Sequence, residues 1–381
     1  MSGKICMVLL TILIAISSGG CINQSTTQKD IVNDAICVDF AHSPKNPSMV
    51  SIIQFESNMD KGLFHYWDFG DGSTSIKSSP THRYLKSGEF NVTLRGINLQ
   101  SGENFSHTKT IVVTEKDLSG SQNKWAILGV RWKSDGSKDY FYADYVKIRS
   151  ILVSDLGFTD DHIFDFENEE FNKKNMVRAL GIVKDASPSW EDATILLWLG
   201  AHGCESLASG VVSTVDGAPS HSFLIDHPEN SPPTDPSNIF LWDYELKEIL
   251  DNYTLSSQKV LVVIEACQSG CFAAQDTTGT FHGDTDFLFT SCGGANRIII
   301  TDATAPLSGT FGMQAQCFWK EGLVEGKGDT NPINGNNNGK TSVEEAWFYY
   351  KSRLAYLGVA TAQPCMNDQY PAEKPEEEMF L

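Results

Sequence analysis

Beyond residue 124 the sequence alternates between short apolar runs and longer segments of helical period, and that alternation leaves few folds open. "WAILGV" (125–130), "HIFDFEN" (162–168), "ATILLWLGAHG" (193–203), "QKVLVVIEACQSG" (258–270) and "NRIIITDATA" (296–305) read as five strands. Between them, "YFYADYVKIRSILVSDLG" (140–157), "NKKNMVRALGIVKDAS" (172–187) and "YELKEILDNY" (244–253) repeat apolar residues every three or four positions. That is the period of a helix with one buried face. Strands that lack polar alternation are buried on both faces, and the intervening helices supply the crossovers that parallel pairing requires. The expectation is an α/β unit over 124–381, a mostly parallel sheet flanked by helices. Ligands of such sheets bind at the carboxyl ends of the strands.

The region before the linker "EKDLSGSQNK" (115–124) has a different grain. "MVSIIQF", "GLFHYWDFG", "EFNVTLRGI" and "HTKTIVVTE" are short alternating segments separated by Gly, Ser, Asn and Pro, which predicts an all-β sandwich over 37–115. Residues 116–123 then join the two domains. Trp67 and Phe69 alternate inward on a strand, while Asp68 and Asp71 can accept from turn amides around Gly70 and Gly72. Tyr84 and Phe90 flank a Ser-Gly turn. With "YWDFGDGSTS" followed by "PTHRYLKSGEFNVTLRG", this module resembles the PKD domain, an immunoglobulin-like sandwich of cell-surface proteins. The resemblance implies a spacer or adhesive module without chemistry of its own. His42, His65, His82 and His107 fall in this module and read as surface residues.

The N-terminus "MSGKICMVLLTILIAISSGGC" carries one positive residue, an apolar stretch from Ile5 to Ile16, and small residues up to Cys21. It reads as a signal peptide over 1–20, and the small residues before Cys21 resemble a lipobox, with Cys21 the lipidated residue. A polar, aperiodic tether covers 21–36. The protein is therefore expected to be exported and held to the outer face of the membrane by lipid. A formal charge of -19 opposes nucleic-acid binding, which rests on basic patches. Nine cysteines, at 6, 21, 37, 204, 267, 271, 292, 317 and 365, show no repeating interval. Seven follow Cys21, an odd number, so at least one keeps a thiol or bonds to another chain.

Two of the apolar runs end on reactive groups. One delivers Ala201-His202-Gly203 and another Glu265-Ala266-Cys267. If the two strands are neighbours, His202 and Cys267 meet at one edge of the sheet. A cysteine nucleophile needs a partner that favours the thiolate or protonates the leaving group, and histidine suits both. The amides of Gly203 and Cys267 are candidates for an oxyanion hole. A strand ending His-Gly, then another ending Glu-Ala-Cys-x-Ser-Gly, is similar to the legumain family of cysteine peptidases, which share a caspase-like fold. The resemblance covers about Lys124 to Gln369. It implies a cysteine endopeptidase acting through a thioester, with protein or peptide substrates and no required cofactor. It also raises self-processing, for which the linker offers Asp117 and Asn123.

Other readings stand beside this one. Cys267 as a core thiol, a disulfide between Cys204 and Cys271, and a zinc site built from His202 and these cysteines all fit the spacing. A transpeptidase using the same dyad, or a catalytically silent adhesion protein, would carry the same motifs. Glu265 and Asp302 are assigned to the substrate pocket. The arginine that legumains carry before the Ala-Asp of their first helix is absent from "KDYFYADYVK", and Arg131 is the substitute in reach. Cleavage after Asn or Asp and cleavage after a basic residue both remain open. Late in the chain, "NGNNNGKTSVEE" (334–345) has the frame of a calcium loop, with Asn334, Asn336, Asn338 and Glu345 as ligands. The same residues equally make a turn followed by a capping box from Ser342 to Glu345.

Overall fold

The computed structural model describes residues 20–21, 37–49, 51–59, 62–116, 123–131, 140–187, 189–205, 222–225, 239–267, 269–273, 297–302, 306–307, 311–358, 364–368, 370 and 378–381. The apolar stretch Ile5–Ile16, the tether beyond Cys21 and linker residues 117–122 lie outside them. Backbone contacts divide the chain into two compact units, Met1–Lys116 and Asp117–Leu381. Among the described residues no helix is long and apolar enough to cross a membrane.

The first unit is a two-sheet sandwich. Its strands are β1 (Phe40–Ser43), β2 (Ile53–Ser57), β3 (Phe64–Asp68), β4 (Thr74–Ser75), β5 (Thr81–His82), β6 (Gly88–Ile97) and β7 (Asn104–Val113). They form one sheet of order β1-β2-β5 and another of order β4-β3-β6-β7, antiparallel throughout. Alternation along β6 sends Phe90, Val92 and Leu94 inward against Trp67 and Phe69, and all five are buried. The expected turn chemistry is present. Asp68 Oδ1 accepts from Gly70 N–H at 3.0 Å, and Asp71 Oδ1 from Ser73 N–H at 2.9 Å. Gly70 has φ +79, and a Cβ there would stand 2.8 Å from the Asn91 carbonyl, so only glycine closes this turn. N-terminal to the sandwich, Gly20–Cys21 pairs antiparallel with Cys37–Val38, setting Cys21 opposite Cys37.

His82 departs from the surface reading. It is 4% exposed, stacked on Phe69 at 4.1 Å, with Nε2 at 3.1 Å from Asp71 Oδ2. Burial alone would raise the Asp71 carboxyl, but the His82 hydrogen bond and charge and the Ser73 amide outweigh it and bring it down to about 2. A depressed carboxyl contributes stability that is present above its unfolded value near pH 4 and lost as pH falls toward 2. The expected contribution is about 1–2 kcal/mol. In an acid titration followed by near-UV circular dichroism, His82→Gln should flatten the fall in stability of this unit between pH 4 and 2. An unchanged acid slope would show that the pair contributes nothing.

The second unit contains the expected alternation. Its described elements begin with β8 (Lys124–Val130), α1 (Tyr140–Ser154), β9 (Ile163–Glu167), α2 (Lys173–Ala186), β10 (Thr194–Gly200), β11 (His202–Glu205), β12 (Ser222–Ile225) and β13 (Ile239–Trp242). They continue with α3 (Asp243–Tyr253), β14 (Lys259–Glu265), β15 (Arg297–Asp302), a hairpin of Pro306–Leu307 with Phe311–Gly312, a π-helix at Gln314–Val324, α4 (Val343–Tyr356) and β16 (Cys365–Asp368). The main sheet has the order β9-β8-β10-β14-β15-β16. Its first five strands are parallel, and β16 closes the edge antiparallel to β15. Strands β10 and β14 occupy the middle and are buried along their lengths, apart from the partly buried Lys259 that opens β14. That position is why both read as unbroken apolar runs. α1 lays Tyr145, Ile148 and Leu152 on this sheet, and Asn172 caps α2 by accepting from Asn175 N–H at 3.0 Å. The C-terminal residues are part of the fold, with Met379 fully buried and paired to Val343 through a 2.9 Å backbone bond.

Candidate active site

The order of the main sheet reverses between β8 and β10, and the carboxyl ends beside such a reversal are where open α/β sheets bind ligands. β10 and β14 are parallel neighbours with Gly200 opposite Glu265. The Ala201 N–H donates to the Glu265 carbonyl at 3.1 Å and carries the pairing one residue past the strand end. His202 and Cys267 each stand two residues beyond this register pair, so the structure brings them off adjacent central strands at one edge.

The two residues sit in different surroundings. His202 is half-buried, and the Phe141 ring of α1 meets its imidazole edge-on at 5.3 Å. The chain then continues as β11, with His202 opposite Ile225 and Gly203 opposite Leu224. Cys267 is exposed and carries a thiol. The turn behind it is tight. Ser269 Oγ donates to the Ala266 carbonyl at 2.7 Å, and Phe272 N–H to the Ser269 carbonyl at 3.1 Å. A 3-10 turn, Gly270–Ala273, follows and buries Phe272 and Ala273 completely. An exposed sulfur is thus held between a buried strand and a buried anchor. The core-thiol reading fits Cys317 and Cys365, which are buried, rather than Cys267. Burial pushes the Cys317 thiol up to about 11, as expected of an inert sulfur.

Of the proposed pocket residues, Glu265 is fully buried at the end of β14, and Asp302 pairs with it across β15. The side chains of Asp302, Cys204 and Cys271 lie outside the described residues, and with them the disulfide and zinc readings. Arg131 follows β8, and its N–H donates to the Gly200 carbonyl at 2.9 Å. Its side chain is 5% exposed, with Nε and Nη2 donating to the Phe171 carbonyl at 3.3 and 2.9 Å and the guanidinium 3.9 Å from the Phe240 ring centre. So placed, Arg131 braces the loop after β9. Asn123 is similarly committed. Its side-chain Oδ1 accepts from Trp125 Nε1 at 3.1 Å and from Ser187 Oγ at 2.5 Å, so cleavage there would first have to undo these bonds.

The asparagine-rich loop resolves toward the turn and helix cap. Glu345 Oε2 accepts from Ser342 N–H at 3.1 Å and Oε1 from Asn336 N–H at 2.8 Å, while Ser342 Oγ accepts from Glu345 N–H at 3.1 Å. Asn336 and Asn338 turn their side-chain oxygens onto the amides two residues on, at 3.0 and 2.9 Å. The loop closes on Asp329, outside the motif, which accepts from Asn338 and Gly339 amides at 2.7 and 3.0 Å. In this arrangement Asn336, Asn338 and Glu345 accept from backbone amides of the loop and the helix start. Among the described residues no group of three or more His, Cys, Asp or Glu side chains is arranged to hold a metal.

One site residue carried no role in the sequence reading. Asp144 lies on the buried stripe of α1 between Phe141 and Ile148 and is fully buried. Its Oδ1 accepts from Gly312 N–H at 2.7 Å. Burial raises this carboxyl well above the usual range, against the Gly312 hydrogen bond and the nearby charge of Lys147. The signal was present in the sequence as a charge at a core position of a helical repeat.

Comparison with known proteins resolves the first unit. The family model described as "PKD domain" matches residues 46–114. Residues 46–114 form a PKD domain. The microbial collagenase of Vibrio alginolyticus is 36% identical over 72 residues, which are 19% of this chain and 8% of the collagenase. Collagenase ColA of Clostridium perfringens is 30% identical over 103 residues, 26% of this chain and 8% of that one. Among solved structures, the PKD1 domain of the Vibrio cholerae metalloprotease PrtV is 32% identical, covering 20% of this chain and 94% of that domain with a TM-score of 0.18. The chain therefore spans about 8% of the length of these curated relatives. The shared part is the PKD domain, and the catalytic chemistry of collagenases is not carried over with it.

Proposed function

We propose that the second unit is a legumain-type cysteine endopeptidase with a caspase-like fold. The observation that carries this reading is the register of β10 and β14, from whose shared edge the exposed Cys267 thiol and His202 emerge. In the proposed reaction the Cys267 thiolate attacks the scissile carbonyl and the N–H groups of Gly203 and Cys267 receive the oxyanion. The tetrahedral adduct collapses to a thioester as His202 gives its proton to the leaving amine. Water then adds to the thioester and its proton returns to the thiolate through His202, releasing the acid. Glu265 and Asp302, paired across β14 and β15, contribute acidity to the floor of the substrate pocket. The PKD domain serves as spacer, and lipid on Cys21 holds the exported protein to the outer face of the membrane.

The test is cleavage of a mixed peptide library by the full chain, with products read by mass spectrometry. A thiol-directed acyloxymethyl ketone labels the protein in parallel. Cleavage together with label on Cys267 supports the reading. Cleavage that survives Cys267→Ala, or a wild type that neither cleaves nor labels, overturns it.

A further inference from the structure

The imidazole of His202 meets a ring that the proposed reaction does not use. Phe141 lies in the first turn of α1 and is 2% exposed. Its ring centre stands 5.3 Å from that of His202, with the two planes at 84°. Aromatic pairs prefer this edge-to-face geometry, in which the positive rim of one ring faces the π-cloud of the other. A histidine at a strand end can turn about its side-chain bonds, and a neighbour of fixed place and orientation removes that freedom.

Phe141 rides on a helix that is held from several sides. α1 runs from the carboxyl edge of the sheet, where Phe141 meets His202, toward the amino edge, where Lys124 Nζ donates to the Leu156 carbonyl at 3.0 Å. Asp144 ties the helix to the hairpin through Gly312 N–H at 2.7 Å. Tyr145 Oη donates to Asp165 Oδ1 of β9 at 3.0 Å, and Arg149 Nε to Oδ2 of the same carboxylate at 3.1 Å. Lys147 Nζ donates to Gln316 Oε1 on the π-helix. The strand side is shaped as well. Alternation on β10 puts Leu196, Trp198 and Gly200 on the face that α1 covers. Gly200 leaves its place there to Trp198, since a Cβ at Gly200 would stand 2.5 Å from the indole ring. Trp198 Nε1 donates to Gln314 Oε1 at 3.2 Å, which fixes that ring. Aromatic carbon from two elements thus packs at this strand end, before His202 on its own strand and beside it on α1.

We propose that Phe141 is a positioning residue for His202, its ring holding the imidazole in the orientation from which it serves the Cys267 thiol. The consequence for cleavage rests on the peptidase reading, whereas the ring contact itself does not. Phe141 touches no reacting atom and acts on the barrier only through His202. Its loss therefore lowers kcat and leaves KM nearly unchanged.

The experiment compares the full wild-type chain with Phe141→Leu, which keeps apolar bulk and loses the ring, and with Phe141→Tyr, which keeps the ring. Phe141→Met takes the place of Phe141→Leu if that variant does not fold. The readouts are the nuclear Overhauser effect between the two rings, the rate of iodoacetamide alkylation at Cys267 by peptide mapping, and kcat and KM on a cleaved peptide. The wild type should show the Overhauser contact. Phe141→Leu should lose about three- to tenfold in kcat, the worth of one aromatic pair, with KM within about twofold of wild type. Alkylation of Cys267 should slow by a similar factor, because a misaligned imidazole favours the thiolate less. Phe141→Tyr should restore both rates. Absence of the Overhauser contact in wild type overturns the proposal without recourse to any variant. A contact with equal kcat and equal alkylation in wild type and Phe141→Leu overturns the positioning role. A loss in folded Phe141→Tyr as large as that in Phe141→Leu overturns it too. A wild type that cleaves nothing but alkylates faster than Phe141→Leu keeps the positioning and refutes the peptidase reading alone.

Discussion

Cys267→Ala should lower kcat/KM for any cleaved peptide by at least about 10⁴-fold, because no neighbouring group replaces a lost nucleophile. The same change should leave Tm within about 2 °C, since the side chain is exposed and its removal opens no cavity. His202→Ala should cost about 10²–10⁴-fold in kcat, the usual worth of a positioned acid and base. It should also slow alkylation of Cys267 at neutral pH, because the imidazole no longer favours the thiolate. Cys317 and Cys365 give an internal control, as both are buried and should react only after unfolding. Rapid native labelling of Cys317 with Cys267 untouched would remove the exposed thiol from the argument and the mechanism with it.

Trp67→Ala should unfold the PKD domain and leave the second unit standing. Trp67 is fully buried, with Phe40, Phe55 and Phe69 at 5.1, 5.6 and 6.3 Å between ring centres. Its Nε1 donates to the Lys77 carbonyl at 2.9 Å. Truncation empties the centre of the sandwich and strands that carbonyl, for a loss of about 3–5 kcal/mol. Small domains have only about 5–15 kcal/mol in total, so the PKD transition should disappear or fall below 37 °C. Trp67→Phe keeps most of the apolar area and loses the donor, and should cost about 1–3 kcal/mol. Calorimetry of the full chain separates the outcomes. Two transitions that move together would show that the units unfold as one.

What the sequence made legible follows from where each element sits. Central strands such as Thr194–Gly200 and Lys259–Glu265 are covered on both faces, so composition alone marks them. The edge strand Cys365–Asp368 escaped because "CMND" has two apolar residues and no period to follow. His202 and Cys267 were legible as strand-end residues, but their adjacency depended on the order of β10 and β14, which no local pattern encodes. The asparagine-rich loop was ambiguous in sequence because calcium and backbone amides seek the same oxygens. Asp329, five residues before the motif begins, turns that competition toward the amides. Histidine 82 misled for a related reason, since its burial depends on Asp71 and Phe69 rather than on its own strand. Asp144 was visible only as an anomaly, a carboxyl on a stripe of Phe141, Tyr145 and Ile148.

The placement of β10 and β14 side by side at the centre of the sheet has a consequence for how such a chain can vary. Neighbouring strands lie about 4.8 Å apart whatever the loops beyond them do. The interval from His202 to Cys267 is therefore ruled by ladder hydrogen bonds and not by the 56 residues from Gly203 to Gln258, in which β12, β13 and α3 are embedded. Insertions between these elements carry only a modest entropic cost. A chain built this way can renew what surrounds His202 and Cys267 over many generations while the two keep their spacing.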